Sequence, residues 1–187
     1  MKKILVLALV LLTTGCLQSA KLLKVGDSKM WDSYTVATSE DINETKSGNL
    51  VSWTQYGPIL ELVQFWKPVE DGKKLPFAFT SASEDKAPVF KSGMSPDEVV
   101  EIYRSSIALV GHAVTKVTPL EPVNYGSKQG YRFDLHSSDA NGVDYRSRSV
   151  FTLDSGKLYL ITLTANATHY FEKRTPFFDS AVASIQF

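Results

Sequence analysis

One cysteine in 187 residues, Cys16, removes two routes to stability: no intrachain disulfide and no thiolate metal cluster can form, so a packed core must hold the chain. An excess of charge of either sign is missing as well. Twenty Lys and Arg balance twenty Asp and Glu, which leaves no whole-chain electrostatic drive toward nucleic acid or anionic lipid head groups. The three histidines, His112, His136 and His169, stand in separate segments without metal-site spacing, and each reads as an ordinary polar side chain. There is no G-x-S-x-G, no phosphate-cradling glycine loop and no cofactor signature. The serine of Ser95-Pro96-Asp97-Glu98 is accounted for by helix capping, and the carboxylate pairs Glu40-Asp41 and Glu70-Asp71 fall in turn-like stretches. These absences argue against an enzyme and imply neither metal nor cofactor.

What is present begins at the start of the chain. Lys2 and Lys3 precede nine apolar residues, 4 to 12, too few to cross a bilayer as a helix but the length of a secretory signal core. The stretch Leu12-Thr13-Thr14-Gly15-Cys16 follows, with small Gly15 at the cleavage position and the only cysteine directly after it. This resembles the lipobox of bacterial lipoproteins. The resemblance implies that residues 1 to 15 are a signal peptide and that Cys16 carries a diacylglycerol and a further acyl chain, a permanent membrane anchor. Leu17, where inner-membrane lipoproteins have aspartate, implies transfer to the outer membrane, lipid-anchored on its periplasmic side.

Removing residues 1 to 15 leaves 172, enough for one globular domain, with two acidic residues in excess. The mixed stretch 16 to 30 reads as a lipidated tether, up to about 45 Å long at ~3.3 Å per residue, with the domain running from 31 to 187.

Strand signals then recur: residues 34 to 38, and an aromatic-rich hairpin of 50 to 56 and 59 to 67 about Gly57-Pro58. One helix is announced by Ser95 as N-cap, Pro96, Glu98 of a capping box and Gly111 as stop, with Val99, Ile102, Tyr103, Leu109 and Val110 on its apolar side. Four more strands are predicted at 113 to 117, 130 to 136, 143 to 153 and 157 to 165, the last three separated by Asn141-Gly142 and Asp154-Ser155-Gly156 turns. A final helix starts near Thr175-Pro176, and residues 185 to 187 close the chain as a short strand. The meander from Gly130-Tyr131-Arg132-Phe133 to Leu158-Tyr159-Leu160-Ile161-Thr162, with the closing Phe177-Phe178 and Ser184-Ile185-Gln186-Phe187, resembles the PsbP-like domain found in lipoproteins similar to DcrB. That resemblance implies an α+β fold, an antiparallel sheet flanked by two main helices in a single-domain sandwich. It also implies a mostly non-enzymatic, accessory role.

Two surface candidates emerge. Alternation places Arg132, Asp134 and His136 on a water-facing side of the sheet, near Asp144, Arg146 and Arg148 of the next strand. Such a face is either a ladder of ion pairs or a docking surface for a partner protein or an anionic ligand, depending on whether its charges neutralise one another. The aromatic cluster Trp53, Tyr56, Phe65 and Trp66 is mostly core, and any ring left exposed would offer a partner-binding groove or dip into lipid. The leading expectation is a non-catalytic envelope lipoprotein with an envelope protein partner. A small-ligand-binding module lined by the aromatics comes next, and a hydrolase with a dispersed site is third.

Overall fold

A computed structural model of the chain describes residues 20–187. The signal peptide, Gly15, Cys16 and Leu17 lie outside the described residues.

Three long strands with tight turns form the middle of the molecule: β9 (Lys128–Ser138), β10 (Asp144–Asp154) and β11 (Lys157–Asn166). Asp154 pairs with Lys157 across two residues, Ser155 and Gly156, both at positive φ. That is the turn whose twist matches antiparallel strands, and the Ser-Gly pair tolerates it. At the other end Asp139 Oδ1 accepts from the N–H groups of Asn141 and Val143, both at 2.9 Å, which folds the β9–β10 loop back on itself.

Ahead of these come β1 (Lys21–Leu23), β2 (Gly26–Met30), β3 (Tyr34–Thr38), β4 (Ile42–Ser47), β5 (Leu50–Thr54), β6 (Glu61–Trp66), β7 (Ala113–Val117) and β8 (Glu121–Tyr125). Nine strands form one antiparallel sheet in the order β1-β4-β5-β6-β11-β10-β9-β7, with β8 also on β9; β2 and β3 make a separate hairpin. β11 lies between β6 and β10, and its Leu158, Leu160, Ile161, Leu163 and Ala165 are buried, as its unbroken apolar run requires.

Each sheet face carries one helix over its own apolar cluster. On one face, α2 (Pro96–Leu109) sets Val99, Ile102 and Tyr103 against Trp66, Phe133, Leu135, Phe151 and Leu160. Its capping box is formed as the sequence predicts, with Ser95 N–H donating to Glu98 at 2.7 Å. The stripe continues through Ser106 rather than Leu109, because Ser106 satisfies its hydroxyl on the Ile102 carbonyl at 2.7 Å and so can be buried. On the other face, α3 (Tyr170–Ala183) sets Phe171, Phe177, Phe178, Ala181 and Val182 against Trp53, Phe65, Val150, Ile161 and Leu163, beside the β2–β3 hairpin. A one-turn helix, α1 (Ser81–Glu84), sits in the long β6–α2 connection.

Several expectations are corrected. The sheet is larger than the predicted strands, and a third, short helix joins the two long ones. From Lys21 onward the stretch assigned to the tether is folded: Lys21 to Leu23 pair with β4, and Met30 is fully buried. Helix α3 begins at Tyr170, five residues before Thr175. Pro176 is inside it, on the exposed side, and the carbonyl it leaves unbonded, that of Glu172, is on an exposed residue where water serves it. The closing strand is a single bridge, Gln186 to Thr35.

The C-terminus crosses the β8–β9 turn so closely that a Cβ on Gly126 would lie 2.3 Å from the Ile185 carbonyl oxygen. Gly126 and Gly142 both have positive φ, but Gly142 has open space around it. Gly142→Ala should therefore cost only the left-handed penalty, roughly 1–2 kcal/mol. Gly126→Ala should cost clearly more, measured as the shift in urea midpoint; equal shifts would contradict the close approach.

Candidate binding surfaces

The charged residues of β9 and β10 do share one face, with Arg146 opposite His136, Arg148 opposite Asp134, Val150 opposite Arg132 and Asp144 opposite Ser138. That face is only partly open to water: Asp144 is exposed at its end, while Asp134 is buried. The same side of β11 and β6 is apolar, so α3 packs there and covers part of the charged row in crossing the sheet. Arg148 grips Asp134 with two hydrogen bonds, Nε to Oδ1 at 2.9 Å and Nη2 to Oδ2 at 3.0 Å, and donates Nη1 to Asp179 of α3 at 3.3 Å. Asp134 raises the Arg148 pKa above its ordinary value, burial opposing. Arg146 pairs with Glu172 of α3, lies 3.8 Å from Asp134, and stacks its guanidinium 3.9 Å from the Phe171 ring centre. The face is thus neutralised internally, as a seam between sheet and helix.

A second seam has no counterpart in the sequence reading. Glu61, fully buried at the start of β6, accepts through Oε1 from the Thr54 hydroxyl at 2.7 Å and from the N–H groups of Gln55 and Tyr56 at 2.5 and 2.9 Å. Its Oε2 faces Arg174 Nε of α3 at 3.4 Å, an ion pair outside hydrogen-bonding geometry. Arg174 is itself buried, pairs with Glu40, and donates to Gln55 at 3.0 Å. The signal was available: Arg174 sits three residues from both Phe171 and Phe177, a charge inside an apolar stripe.

Arg132 differs from the two other arginines in pairing with Glu121 of β8 instead of with α3. It borders a cavity of about 330 Å³ between β8, β10 and α3, walled by Val123, Val150 and Val182 and edged by Asn124 and Asp179. A hollow of about 70 Å³ lies on its other side, against Thr118, Asp134 and Arg148.

The aromatic cluster divides. Trp53, Phe65 and Trp66 are buried; Trp53 and Phe65 pack at 4.4 Å between ring centres, so these rings fill the core. Tyr56 reaches the surface. It has company, because Leu22, Val25, Tyr56 and Ile59 are four of the five exposed large apolar residues among those described. Leu22 pairs with Asn43 and Asn43 with Thr54, which leads into the loop of Tyr56 and Ile59, and Val25 N–H donates to Asp41 just before β4 at 3.3 Å, so all four lie toward the end of the sheet where β5 turns into β6. Tyr170 and Lys173 of α3 flank Tyr56, the ammonium 4.2 Å from its ring centre.

The opposite end, at the β4–β5 turn, holds a cleft of about 360 Å³ lined by Asn49, Lys67, Pro68, Glu70, Lys73 and Lys74. The whole-chain charge balance hides this concentration of lysines.

His136 is partly desolvated and has Arg146 and Lys116 as cationic neighbours, which together lower its pKa despite Asp134 nearby. The folded pKa therefore lies below the unfolded value of about 6.5. Below that pH the unfolded chain takes up the proton first, so stability present above about 6.5 is lost as pH falls through the folded pKa. The urea midpoint should drop between pH 7.5 and 5.5, and His136→Gln should drop less. Parallel curves would contradict the assignment.

Among the described residues no helix is long and apolar enough to cross a membrane. No family model matches the chain, and no curated protein is similar to it in sequence. Among solved structures, the cyanobacterial PsbP (CyanoP) of Synechocystis sp. PCC 6803 superposes with a TM-score of 0.54 at 13% identity, over 93% of this chain and 95% of that one. A protein of unknown function from Pseudomonas aeruginosa, PA94, covers 87% of this chain and 96% of its own, at 14% identity and a TM-score of 0.40. The likeness to CyanoP establishes the fold: the chain has the PsbP-like architecture, an extended antiparallel sheet with helices packed on it.

Proposed function

We propose that the protein is a non-catalytic accessory lipoprotein of the bacterial cell envelope, anchored through Cys16 on the periplasmic side of the outer membrane, that works by holding an envelope protein partner. The observation that carries the partner reading is the gathering of exposed Leu22, Val25, Tyr56 and Ile59 at one end of an otherwise well-packed domain. Exposed apolar residues grouped beside charged ones, here Lys173, suit a protein contact better than scattered ones do. The sequence Leu12 to Cys16 supports the anchor, and the short link to the first strand keeps the domain at the membrane. The clustered charges of β9, β10 and α3 are engaged in holding the fold, which leaves them poorly suited to acid–base chemistry.

A second reading has its own observation. The cavity beside Arg132, at about 330 Å³, is near the lower limit for a small-molecule site and combines an apolar wall with a cation, a carboxylate and an amide.

Intact mass and membrane fractionation test the anchor: the mature chain should begin at Cys16 with added acyl mass, and Cys16→Ser should remain an uncleaved precursor or become soluble. An unmodified, soluble wild-type chain would contradict it. For the partner, Ile59→Asp should abolish envelope cross-links formed at this end with no more than about 0.5 kcal/mol change in stability, as expected of an exposed site. Cross-linking that is unchanged in Ile59→Asp but lost in Arg132→Glu would move the contact to the cavity.

A further inference from the structure

The direction of β1 separates the two ends of the sheet. Lys21 lies opposite Glu44 and Leu23 opposite Ile42, so the chain comes to Lys21 from the side of the β4–β5 turn and runs toward the apolar end. From Lys21 to the level of Ser47 is three residues, about 10 Å at ~3.4 Å per residue. From Lys21 back to Cys16 is five, at most roughly 17 Å. That length is enough for a lipid on Cys16 to lie just past the β4–β5 turn, the side from which β1 is entered.

At that turn lies the lysine cleft. Lys67, Lys73 and Lys74 line it with Asn49, and its one acidic lining residue, Glu70, is drawn off by Lys157 at 3.4 Å. Lys74 is braced by its bond to the Glu84 carbonyl at 2.6 Å, while neither Lys67 nor Lys73 is in an ion pair among the described residues. The walls are fixed by backbone pairing: Lys67 N–H to Asn49 at 2.8 Å, Val69 to Leu158, and Phe90 N–H to Lys73 at 2.8 Å. The cleft is a preformed cationic recess at the end of the sheet from which β1 is entered, within the length available to the anchor.

We infer that this cleft binds the phosphate of an anionic phospholipid head group in the membrane that holds the chain, with Lys67 and Lys73 as the phosphate ligands and Lys74 and Asn49 as the supporting wall. The inference rests on the proposed lipid anchor and orients the domain on it. The lysine end faces the bilayer and the end with Tyr56 and Ile59 faces away, toward a partner. Lysine is a point-charge phosphate binder, and a recess of fixed backbone places two of them together without the ordering cost of a loose loop.

The test is amine acylation of the full lipidated protein in vesicles, read residue by residue by mass spectrometry. In vesicles of phosphatidylglycerol with phosphatidylcholine, Lys67 and Lys73 should be protected several-fold relative to vesicles of phosphatidylcholine alone. Lys24, at the other end and paired with Asp41, should be unchanged. The protection should fade at high salt, and Lys67→Gln should weaken the protection of Lys73. Equal labelling in both vesicles overturns the inference. Protection by inorganic phosphate in phosphatidylcholine vesicles, matching that by the anionic lipid, overturns the lipid as the source. The intact mass of the same sample separates the two claims: a chain without acyl mass fails the anchor reading, while an acylated chain with unprotected lysines fails only this one.

Discussion

The buried pair of Glu61 and Arg174 is the constraint on which the other features lean. One carboxylate oxygen collects three donors from the end of β5 and its turn, and the other faces a guanidinium supplied by α3, some 110 residues later in the chain. The same guanidinium reaches Glu40 before β4 and Gln55 in the turn. Three separate stretches thereby share one charge cluster with little access to water. In such surroundings losing either partner strands the other, a far larger penalty than at an exposed pair.

Holding α3 at this point fixes its path. From Arg174 the helix runs across β11 and β10, putting Glu172 on Arg146 and Asp179 on Arg148. The polar side of β9 and β10 becomes an interface, and the space remaining between α3 and β8 is the cavity beside Arg132. The ordering also fixes the turn that presents Tyr56 and Ile59, since the Tyr56 N–H is one of the donors to Glu61. A charge cluster with a structural task thus shapes two surfaces available for recognition. The lysine cleft is built separately, from the long connection after β6 and the β4–β5 turn.

How much of this was legible depended on how local the deciding physics was. Alternation and two-residue turns located β9, β10 and β11, and the Ser95–Glu98 capping box located α2, because each is settled within a few residues. The start of α3 was misplaced because proline normally opens a helix, and only the exposure of Glu172 and Pro176 lets it sit inside one. The strand Glu121–Tyr125 was hidden by Pro122, which is tolerated on β8, a strand paired along one edge. Arg132, Asp134, His136, Asp144, Arg146 and Arg148 share one side of β9 and β10, but alternation cannot show that a later helix covers part of that side. The lysine cleft was invisible to a charge count, because it joins Asn49 to Lys67, Lys73 and Lys74 across separate segments.

A double-mutant cycle on Glu61 and Arg174 decides whether this pair holds α3 to the sheet, using unfolding free energies of the wild type, Glu61→Gln, Arg174→Met and the double variant. If the pair holds α3 to the sheet, each single change costs about 3–5 kcal/mol. The double variant then loses less than the sum by more than about 1 kcal/mol. Small, additive losses that agree within about 0.5 kcal/mol would show that apolar packing alone places the helix.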